Sequence, residues 1–420
     1  MGRTGDERGA RRGDPGAVTS PPSGSAIRRL LGLPDFRRLW MLGGVANTMR
    51  WLELLIAGLW TYQATQSALM VGAVAMMRSL PMLLLGAVAG SLAERLDRRL
   101  LLLGLQSTAA VGAGVVALLA FTGLLQPWHL MVHGLVAGLS FAGEMATRRR
   151  MVADAAPPED VVPAIALDSL TSSTTRCVGP LLGGVLFDAL GLAIVSAIAC
   201  ALHLAAIGLL LRVGTQPRRI SAQGAGLFGG IGEAARFALR EPNLRLVLAL
   251  TLVMNIFVFS YVGILPAFGA VAFGASGAAI GLLAAAEPFG ALLGGLWLAL
   301  RGRRDGGGLA FVLGSLAFLI TLLLAALSPF YLLAWGLLAL GGLGTARFVT
   351  MQTALVMTSA PAEIRSRVLG LVTTCIGTGP AGVLALGALA DALGPRAAML
   401  IMGGIALLLL LPLLRGQLRR

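Results

Sequence analysis

Seven charged side chains lie inside long apolar blocks of this 420-residue sequence. A charge at the centre of an apolar span costs roughly 3 kcal/mol or more, so such residues usually carry a function or pair with one another. A carboxylate in these surroundings can bind and release a proton, because burial favours its neutral form and a nearby cation favours its ionised form. The seven residues are Arg50, Glu53, Arg78, Glu144, Arg176, Glu287 and Arg347.

Three carboxylates of this set are candidates for proton exchange. Glu53 and Glu287 lie near the middle of their blocks, and Glu144 is a third candidate nearer the end of its block. Arg50 precedes Glu53 by three residues, so the two side chains share one face of a helix and are expected to pair. An alternative for each carboxylate is an internal ion pair that only fixes the packing of the helices.

Four arginines and two asparagines could contact a bound compound. The arginines could bind an anionic group or balance the buried acids, and the sequence leaves both roles open. The asparagines could line a cavity or pack between helices. These six residues are Arg50, Arg78, Arg176, Arg347, Asn47 and Asn255.

The sequence contains no set of residues typical of catalysis. The G-x-x-x-x-G-K-[ST] loop that binds nucleotide phosphates is missing, which argues against an ATP-driven pump within this chain. No cluster of His, Cys, Asp or Glu has the spacing of a metal site. The cysteines Cys177, Cys200 and Cys375 fall in apolar blocks, as small buried side chains do. We therefore expect neither an enzyme nor a bound metal or cofactor.

The elements that position these residues are predicted to be transmembrane helices. The chain is 57% hydrophobic and only 12% charged, whereas soluble proteins carry about 25% charged residues. Its apolar residues come in blocks of about 20, the length that crosses a bilayer as a helix. Twelve blocks predict an all-α membrane protein, with spans at 39–62, 69–93, 100–123, 129–147, 164–187, 192–211, 244–270, 278–300, 309–326, 330–356, 367–390 and 397–414.

The arginines determine the expected orientation. All 33 basic residues are arginines, and nearly all of those outside the spans fall in alternate connections. The connections on the opposite side contain only Arg396. Positive segments stay in the cytoplasm, so both termini are predicted to be cytoplasmic in a multi-pass protein of a bacterial inner membrane. The net charge of +14 is divided among short clusters, which argues against a nucleic-acid partner.

A polar stretch splits the spans into six and six, and the two halves resemble each other. Asp188 and Gly191 recur 203 residues later as Asp391 and Gly394. This repeat predicts two pseudo-symmetric six-helix bundles with a binding site between them. The linker is either plainly flexible or carries an amphipathic helix near Phe237. The predicted segments are a disordered cytoplasmic tail at 1–35, a bundle at 36–212, a cytoplasmic linker at 213–243, a bundle at 244–415 and a cytoplasmic tail at 416–420.

Two motifs resemble signatures of the major facilitator superfamily. The segment GSLAERLDRR, residues 90–99, is similar to the G-x-L-A-D-R-x-x-R-R signature between spans two and three. The segment VGPLLGG, residues 178–184, is similar to the G-P-x-x-G-G core of the antiporter signature of drug–proton exchangers. Further segments resemble the branch that contains the enterobactin exporter and macrolide efflux proteins. The matching residues are Gly90, Glu94, Arg98 and Arg99 in the first motif and Gly179, Pro180, Gly183 and Gly184 in the second.

The resemblance implies a secondary transporter that works by alternating access. By this resemblance, Glu94 would face the N-terminus of span eleven near Ser366 and form a cytoplasmic latch together with Arg98 and Arg99. The expected function is proton-coupled efflux of a small apolar or amphipathic compound, such as a drug or a siderophore, by a monomer surrounded by membrane lipids. Alternatives are an importer or facilitator of a small nutrient, and a non-transport protein that handles lipids or acts as a scaffold.

Overall fold

The computed structural model describes residues 24–95, 97–214, 231–301, 307–361 and 364–419. Within these ranges the chain is helical apart from short turns and connections. Helices form because a bilayer offers no partners to backbone N–H and C=O groups, which must then bond within the segment. The α-helices of the described ranges are α1 (Gly24–Gly32), α2 (Pro34–Thr65), α3 (Ala68–Arg95), α4 (Arg98–Phe121), α5 (Pro127–Asp154), α6 (Val161–Leu211), α7 (Ile231–Arg240), α8 (Pro242–Val253), α9 (Leu265–Phe273), α10 (Gly277–Arg301), α11 (Gly307–Leu327), α12 (Tyr331–Ser359), α13 (Arg365–Ile376), α14 (Gly379–Leu393) and α15 (Pro395–Leu418).

Each of the twelve predicted spans coincides with a helical segment. In the described ranges, nine segments are long and apolar enough to cross a membrane, and one of them, Pro158–Leu211, has 54 residues and contains two predicted spans. The other two predicted spans correspond to α2 and α3, which have 32 and 28 residues. The structure therefore confirms an all-α membrane protein, and the helix positions agree with twelve spans.

A glycine turn separates spans five and six within α6. Gly191 has a φ of 73° and a ψ of 168°, although the residues on both sides of it are helical. Gly394 has a φ of 87° between α14 and α15. A positive φ is accessible to glycine without the strain that a Cβ causes. The same backbone turn therefore stands at two positions related by the sequence repeat, as expected for duplicated bundles.

Span seven is interrupted near its middle. The α-helix α8 passes into a π-helical turn at Met254–Val258 and a 3-10 stretch at Phe259–Ile264 before α9 begins. Such breaks in a membrane helix occur where the backbone is buried in protein or lines a cavity and does not face lipid. Asn255 lies in this turn, where its Nδ2 donates to the carbonyl oxygen of Thr251 at 2.9 Å.

The helices form two groups, which we call the N-half (α2 to α6) and the C-half (α8 to α15). Within the N-half α2 packs against α6 and α3 against α5, and within the C-half α12 packs against α10 and α11. The two halves meet where α6 packs against α10 and where α3 packs against α14. We call the side of the membrane where α2 begins the near side, and the side where α2 ends the far side.

The N-terminal segment is more ordered than its composition suggests. Residues 24–32 form α1, so the prediction of a disordered tail up to residue 35 is wrong for this part of the chain. Leu30 is buried, and Arg29 Nη2 lies 2.7 Å from Asp160 Oδ1. The hydrogen bond from Arg29 holds the pKa of the Asp160 carboxyl below its ordinary value. Residues 1–23 lie outside the described ranges.

The linker contains the amphipathic helix that was one of its two predicted forms. Helix α7 buries Ala234 and Ala238 and leaves Leu239 exposed. It packs against α8 and α13 of the C-half. Residues 215–230 of the linker lie outside the described ranges.

Gly290→Ala is expected to destabilise the C-half, because α10 and α12 approach each other closely at this position. A Cβ at Gly290 would lie 2.7 Å from the carbonyl carbon of Ala339 and 3.1 Å from the Cα of Gly342. Overpacking of this kind costs about 1–3 kcal/mol, so the thermal midpoint in detergent should fall. Gly295→Ala on the same helix is the matched control, since a Cβ there meets nothing within 4 Å. Equal midpoints for the two variants would contradict this packing.

Candidate functional site

An ion pair joins the two halves near the middle of the membrane. Arg176 Nη2 on α6 donates to Glu287 Oε2 on α10 at 2.7 Å. The Glu287 side chain is 1% exposed and the Arg176 side chain is 33% exposed. One helical position further on, Cys177 Sγ lies 3.7 Å from the carbonyl oxygen of Ala285. The structure therefore brings together two candidates that the sequence could not pair, and it places their contact between the halves.

The antiporter-like motif gives α6 two faces that other helices approach closely. A Cβ at Gly179 would lie 2.9 Å from the carbonyl oxygen of Thr48 on α2, and the carbonyl oxygen of Leu52 would lie 3.2 Å from a Cβ at Gly183. Small residues permit this contact within the N-half.

The other face of the motif approaches the C-half. A Cβ at Gly184 would collide with the carbonyl oxygen of Gly277 on α10, and a Cβ at Gly281 would lie 2.5 Å from the carbonyl oxygen of Pro180. The motif therefore sets how closely α6 approaches both α2 and α10.

Glu53 lies in a polar cluster inside the N-half. Its Oε2 accepts from Arg78 Nη2 at 3.4 Å and lies 3.8 Å from His133 Nε2. His203 Nε2 lies 3.4 Å from Glu53 Oε1. The prediction that Arg50 pairs with Glu53 is wrong, because Glu53 points towards α3, α5 and α6, whose side chains supply its partners.

The histidine tautomer in this cluster determines where a proton can lie. His203 Nδ1 lies 2.9 Å from Gln106 Oε1, an acceptor, so Nδ1 carries the proton of a neutral ring. The lone pair of Nε2 then faces the carboxylate oxygen of Glu53. Two acceptors at this distance repel each other unless a proton lies on one of them. Glu53 Oε1 and His203 Nε2 are both buried, and neither has a hydrogen-bond partner among the described residues.

Arg50 lies against aromatic rings and forms no ion pair with a carboxylate among the described residues. Its guanidinium carbon is 3.1 Å from the ring centroid of Phe141 and 5.4 Å from that of Trp51. Arg176 also lies over Trp51, at 5.7 Å. Cations over aromatic faces are attracted by the ring quadrupole. Of the four candidate arginines, Arg78 and Arg176 are thus in ion pairs, and Arg50 is held by ring contacts.

Three further candidates take separate positions. Asn47 Nδ2 donates to Ser172 Oγ at 3.4 Å, which joins α2 to α6 within the N-half. Glu144 Oε1 lies 3.9 Å from Arg148 Nε, and its side chain is 16% exposed. Arg347 lies beside α11, where a Cβ at Gly314 would be 3.0 Å from the Arg347 Cβ. In the described ranges Arg347 has no carboxylate partner, and it does not join the other candidates.

The sequence interpretation missed a buried ion pair at the near-side end of the N-half. Arg148, assigned to a polar connection, is 2% exposed on α5 and bonds Asp168 on α6. A Cβ at Gly43 would collide with the Arg148 guanidinium, so glycine at this position makes room for the pair. A signal was available, because Asp168 is an acid inside a predicted span.

The cluster around Glu53 also contains residues that the sequence interpretation missed. His133 and Gln106 stand within predicted spans, where a polar side chain marks a functional contact or an interhelical bond. Neither carries a motif, and only the fold shows that they converge with His203. In the described ranges no three His, Cys, Asp or Glu residues are placed to hold a metal ion.

The first signature motif is only partly described. Gly90 lies on α3, whereas the side chains of Glu94 and Ser366 lie outside the described part of the structure, so the latch stays a prediction. Arg98 Nη1 donates to Asp154 Oδ2 at 2.6 Å, and Arg99 Nη2 donates to the carbonyl oxygen of Leu211 at 2.5 Å. Both arginines therefore bind helix ends within the N-half.

Comparisons with known proteins agree with this architecture. The model of the transmembrane secretion effector family matches residues 31–419. The enterobactin exporter EntS of Salmonella typhi is 30% identical over 346 residues, which cover 79% of this chain and 80% of that protein. The solved structure of the nucleoside transporter NupG has a TM-score of 0.70 at 13% identity, covering 90% of this chain and 98% of that one.

A second solved structure is similar over nearly its whole length. It is a bacterial homolog of the human lysosomal transporter Spinster in an inward-facing and unoccupied conformation. Its TM-score is 0.70 at 16% identity, covering 95% of this chain and 99% of that one. At such identities the two solved structures show a shared fold.

Proposed function

Because the chain belongs to the transmembrane secretion effector family of major facilitator transporters, we propose that this multi-pass membrane protein exports a small amphipathic compound in exchange for protons. The ion pair between Arg176 and Glu287 carries this proposal, since its 2.7 Å contact links the two halves. The Glu287 side chain is almost fully buried in this closed arrangement, so Arg176, and not solvent, stabilises its charge here. The family consists of transporters and not of enzymes. This agrees with the expectation from the sequence that the chain is not an enzyme.

The proposed orientation has both termini and the linker in the cytoplasm, with the far side outside the cell. It is supported by the arginines, which occupy near-side connections almost exclusively. Export then carries the compound from the near side to the far side, and protons enter in the opposite direction.

The ion pair provides a physical route from helix movement to proton movement. Alternating access separates the halves on one side of the membrane and then on the other. When α6 and α10 move apart on the far side, Glu287 loses the cation that favours its ionised form, and its carboxylate takes up a proton from outside. When the helices close again, the Arg176 guanidinium stabilises the carboxylate, and the proton leaves towards the near side.

Glu53 is proposed as a second proton-binding residue with a different behaviour. Its partners Arg78, His133 and His203 all belong to the N-half, so they stay together when the halves separate. A proton held between Glu53 Oε1 and His203 Nε2 would therefore not depend on contact with α10. Glu144 remains the third candidate.

The proposed substrate class is supported by the family and by the residues near the ion pair. Trp51, Phe141 and Arg50 form an aromatic and cationic group beside Arg176. Such a group suits a compound that has an aromatic or apolar body and a negatively charged or polar end. Enterobactin is the first compound to test, because the curated relatives are enterobactin exporters.

Transport in proteoliposomes tests the proposal. A panel of enterobactin, macrolides and amphipathic drugs is offered to vesicles in which the near side faces outwards. We expect at least one compound to accumulate when the lumen is acidic, and accumulation to stop when a protonophore removes the gradient. A facilitator would only equilibrate each compound, and uptake that ignores the gradient for every transported compound would refute proton coupling.

Cysteine labelling tests the proposed orientation. In a background without the native cysteines, Ser221→Cys in the linker should not react with an impermeant maleimide in intact cells. Thr122→Cys is the matched control, because Thr122 is exposed in the far-side connection between α4 and α5, and it should react. The reverse pattern of labelling would invert the topology and the assigned direction of proton movement.

A further inference from the structure

Asp188 of the N-half caps a helix of the C-half at the far side. Its Oδ1 accepts from the backbone N–H of Gly277 at 2.9 Å, and its Oδ2 accepts from that of Ala278 at 2.7 Å. Gly277 is the first residue of α10. The first N–H groups of a helix have no partner within the helix, and they carry the positive end of its dipole. A carboxylate from the opposite half satisfies both of these groups.

Asp391 of the C-half makes the same contact in the opposite direction. Its Oδ1 accepts from the backbone N–H of Ala68 at 2.5 Å. Its Oδ2 accepts from the N–H of Leu69 at 3.2 Å and from Ser67 Oγ at 2.6 Å. Ala68 is the first residue of α3, so this carboxylate caps a helix of the N-half.

The two caps are related by the internal repeat. Asp188 and Asp391 stand 203 residues apart, and each precedes a positive-φ glycine, Gly191 or Gly394, by three residues. Each aspartate therefore ends a span at the far side and reaches across to the partner half.

Close helix contacts lie directly below each cap. Beside Asp188, the glycines of α6 and α10 touch backbone to backbone at Gly184 and Gly277. Beside Asp391, a Cβ at Gly387 would lie 2.9 Å from the carbonyl oxygen of Ala68, and a Cβ at Gly72 would lie 3.0 Å from that of Val383. The caps therefore sit at the far-side ends of the two interfaces that join the halves.

We infer that Asp188 and Asp391 are a pair of gate residues that hold the far side of the transporter closed. Both caps must break when the halves separate on this side, because each aspartate and its helix N-terminus belong to different halves. One cap holds the interface between α6 and α10, and the other holds the interface between α3 and α14. With a single cap, the far side could still open at the interface that has none. This inference rests on the fold and not on the proposed proton coupling.

Distance measurements between spin labels test the gate. Labels at Leu124→Cys and Leu327→Cys report on the far side, since these residues are 64% and 60% exposed in equivalent connections of the two halves. The native cysteines are replaced and the pH is fixed. Loss of one helix cap shifts the equilibrium between the capped and uncapped states about fivefold. Asp188→Ala and Asp391→Ala should therefore each raise the ratio of far-side-open to far-side-closed molecules about fivefold. The double variant should raise this ratio about 25-fold, because the two sites are far apart and act independently.

Asp97→Ala is the matched control. Asp97 caps α4 through the N–H of Leu100 at 2.9 Å, but both residues belong to the N-half. This variant loses the same kind of cap and should leave the far-side distances unchanged. Asp188→Asn and Asp391→Asn, which keep a capping oxygen, should give smaller shifts than the alanines. Unchanged distances in the double alanine variant, or the same shift in Asp97→Ala, would overturn the gate.

Discussion

Glu287→Gln is expected to abolish proton-driven accumulation of the exported compound while leaving its downhill movement intact. Glutamine has the shape of the protonated carboxyl group but cannot release a proton, so the contact with Arg176 no longer alternates between an ion pair and a neutral contact. The measurement compares gradient-driven accumulation with exchange at equal pH in proteoliposomes. Substrate binding should be retained, because the fold and the aromatic group near Arg50 are unchanged.

Companion variants separate Glu287 from the other carboxylates. Glu53→Gln is expected to weaken coupling and to alter its pH dependence, since Glu53 Oε1 lies 3.4 Å from His203 Nε2. Glu159→Gln is the matched control, because Glu159 is an exposed carboxylate outside the spans, and it should transport as the unmodified protein does. Full proton-driven transport by Glu287→Gln and Glu53→Gln, singly and together, would show that neither carries the proton. Glu144 would then be the remaining candidate.

Arg176→Ala is expected to lower stability strongly and to make it dependent on pH. Removing one partner of a buried pair costs about 3 kcal/mol, the lower end of the usual range, since Arg176 is partly exposed. The unpaired Glu287 is tolerated only when it is neutral, so the lost stability should return as the pH falls. Thermal midpoints in detergent across a pH series measure this effect.

The double variant Arg176→Ala with Glu287→Gln provides the control. It leaves no ionised group behind, so its thermal midpoint should return most of the way to that of the unmodified protein. The pH dependence caused by Arg176→Ala should also disappear. If the single and double variants melt alike at every pH, then Glu287 is not stabilised by Arg176, and the ion pair does not link the halves energetically.

The positions of the spans were predictable because lipid imposes a simple requirement. Each span needs about 20 apolar residues, and the arginines fall between spans. The repeat at Asp188 and Asp391 was also visible, although nothing in the sequence showed that each aspartate reaches across to the other half. That contact depends on how α6 and α14 face α10 and α3, which only the packed bundle defines.

The partners of the buried charges were not predictable, because charged residues far apart in sequence meet only through packing. Arg50 and Glu53 are neighbours on one helix, yet Arg50 contacts Phe141 and Glu53 contacts Arg78. Arg176 and Glu287 are separated by more than a hundred residues, and no local pattern relates them. The sequence therefore identified most of the charges that matter but not the pairs that they form.

The role of Glu287 in coupling is tested most directly by the pH dependence of far-side opening in the labelled protein without substrate. Protonation of Glu287 removes its attraction to Arg176, so the far-side-open fraction measured between Leu124→Cys and Leu327→Cys should rise as the pH falls. In Glu287→Gln this fraction should be high and independent of pH, although Asp188 and Asp391 are unchanged. A distance distribution that shifts with pH to the same extent in the unmodified protein and in Glu287→Gln would show that protonation of Glu287 does not drive far-side opening.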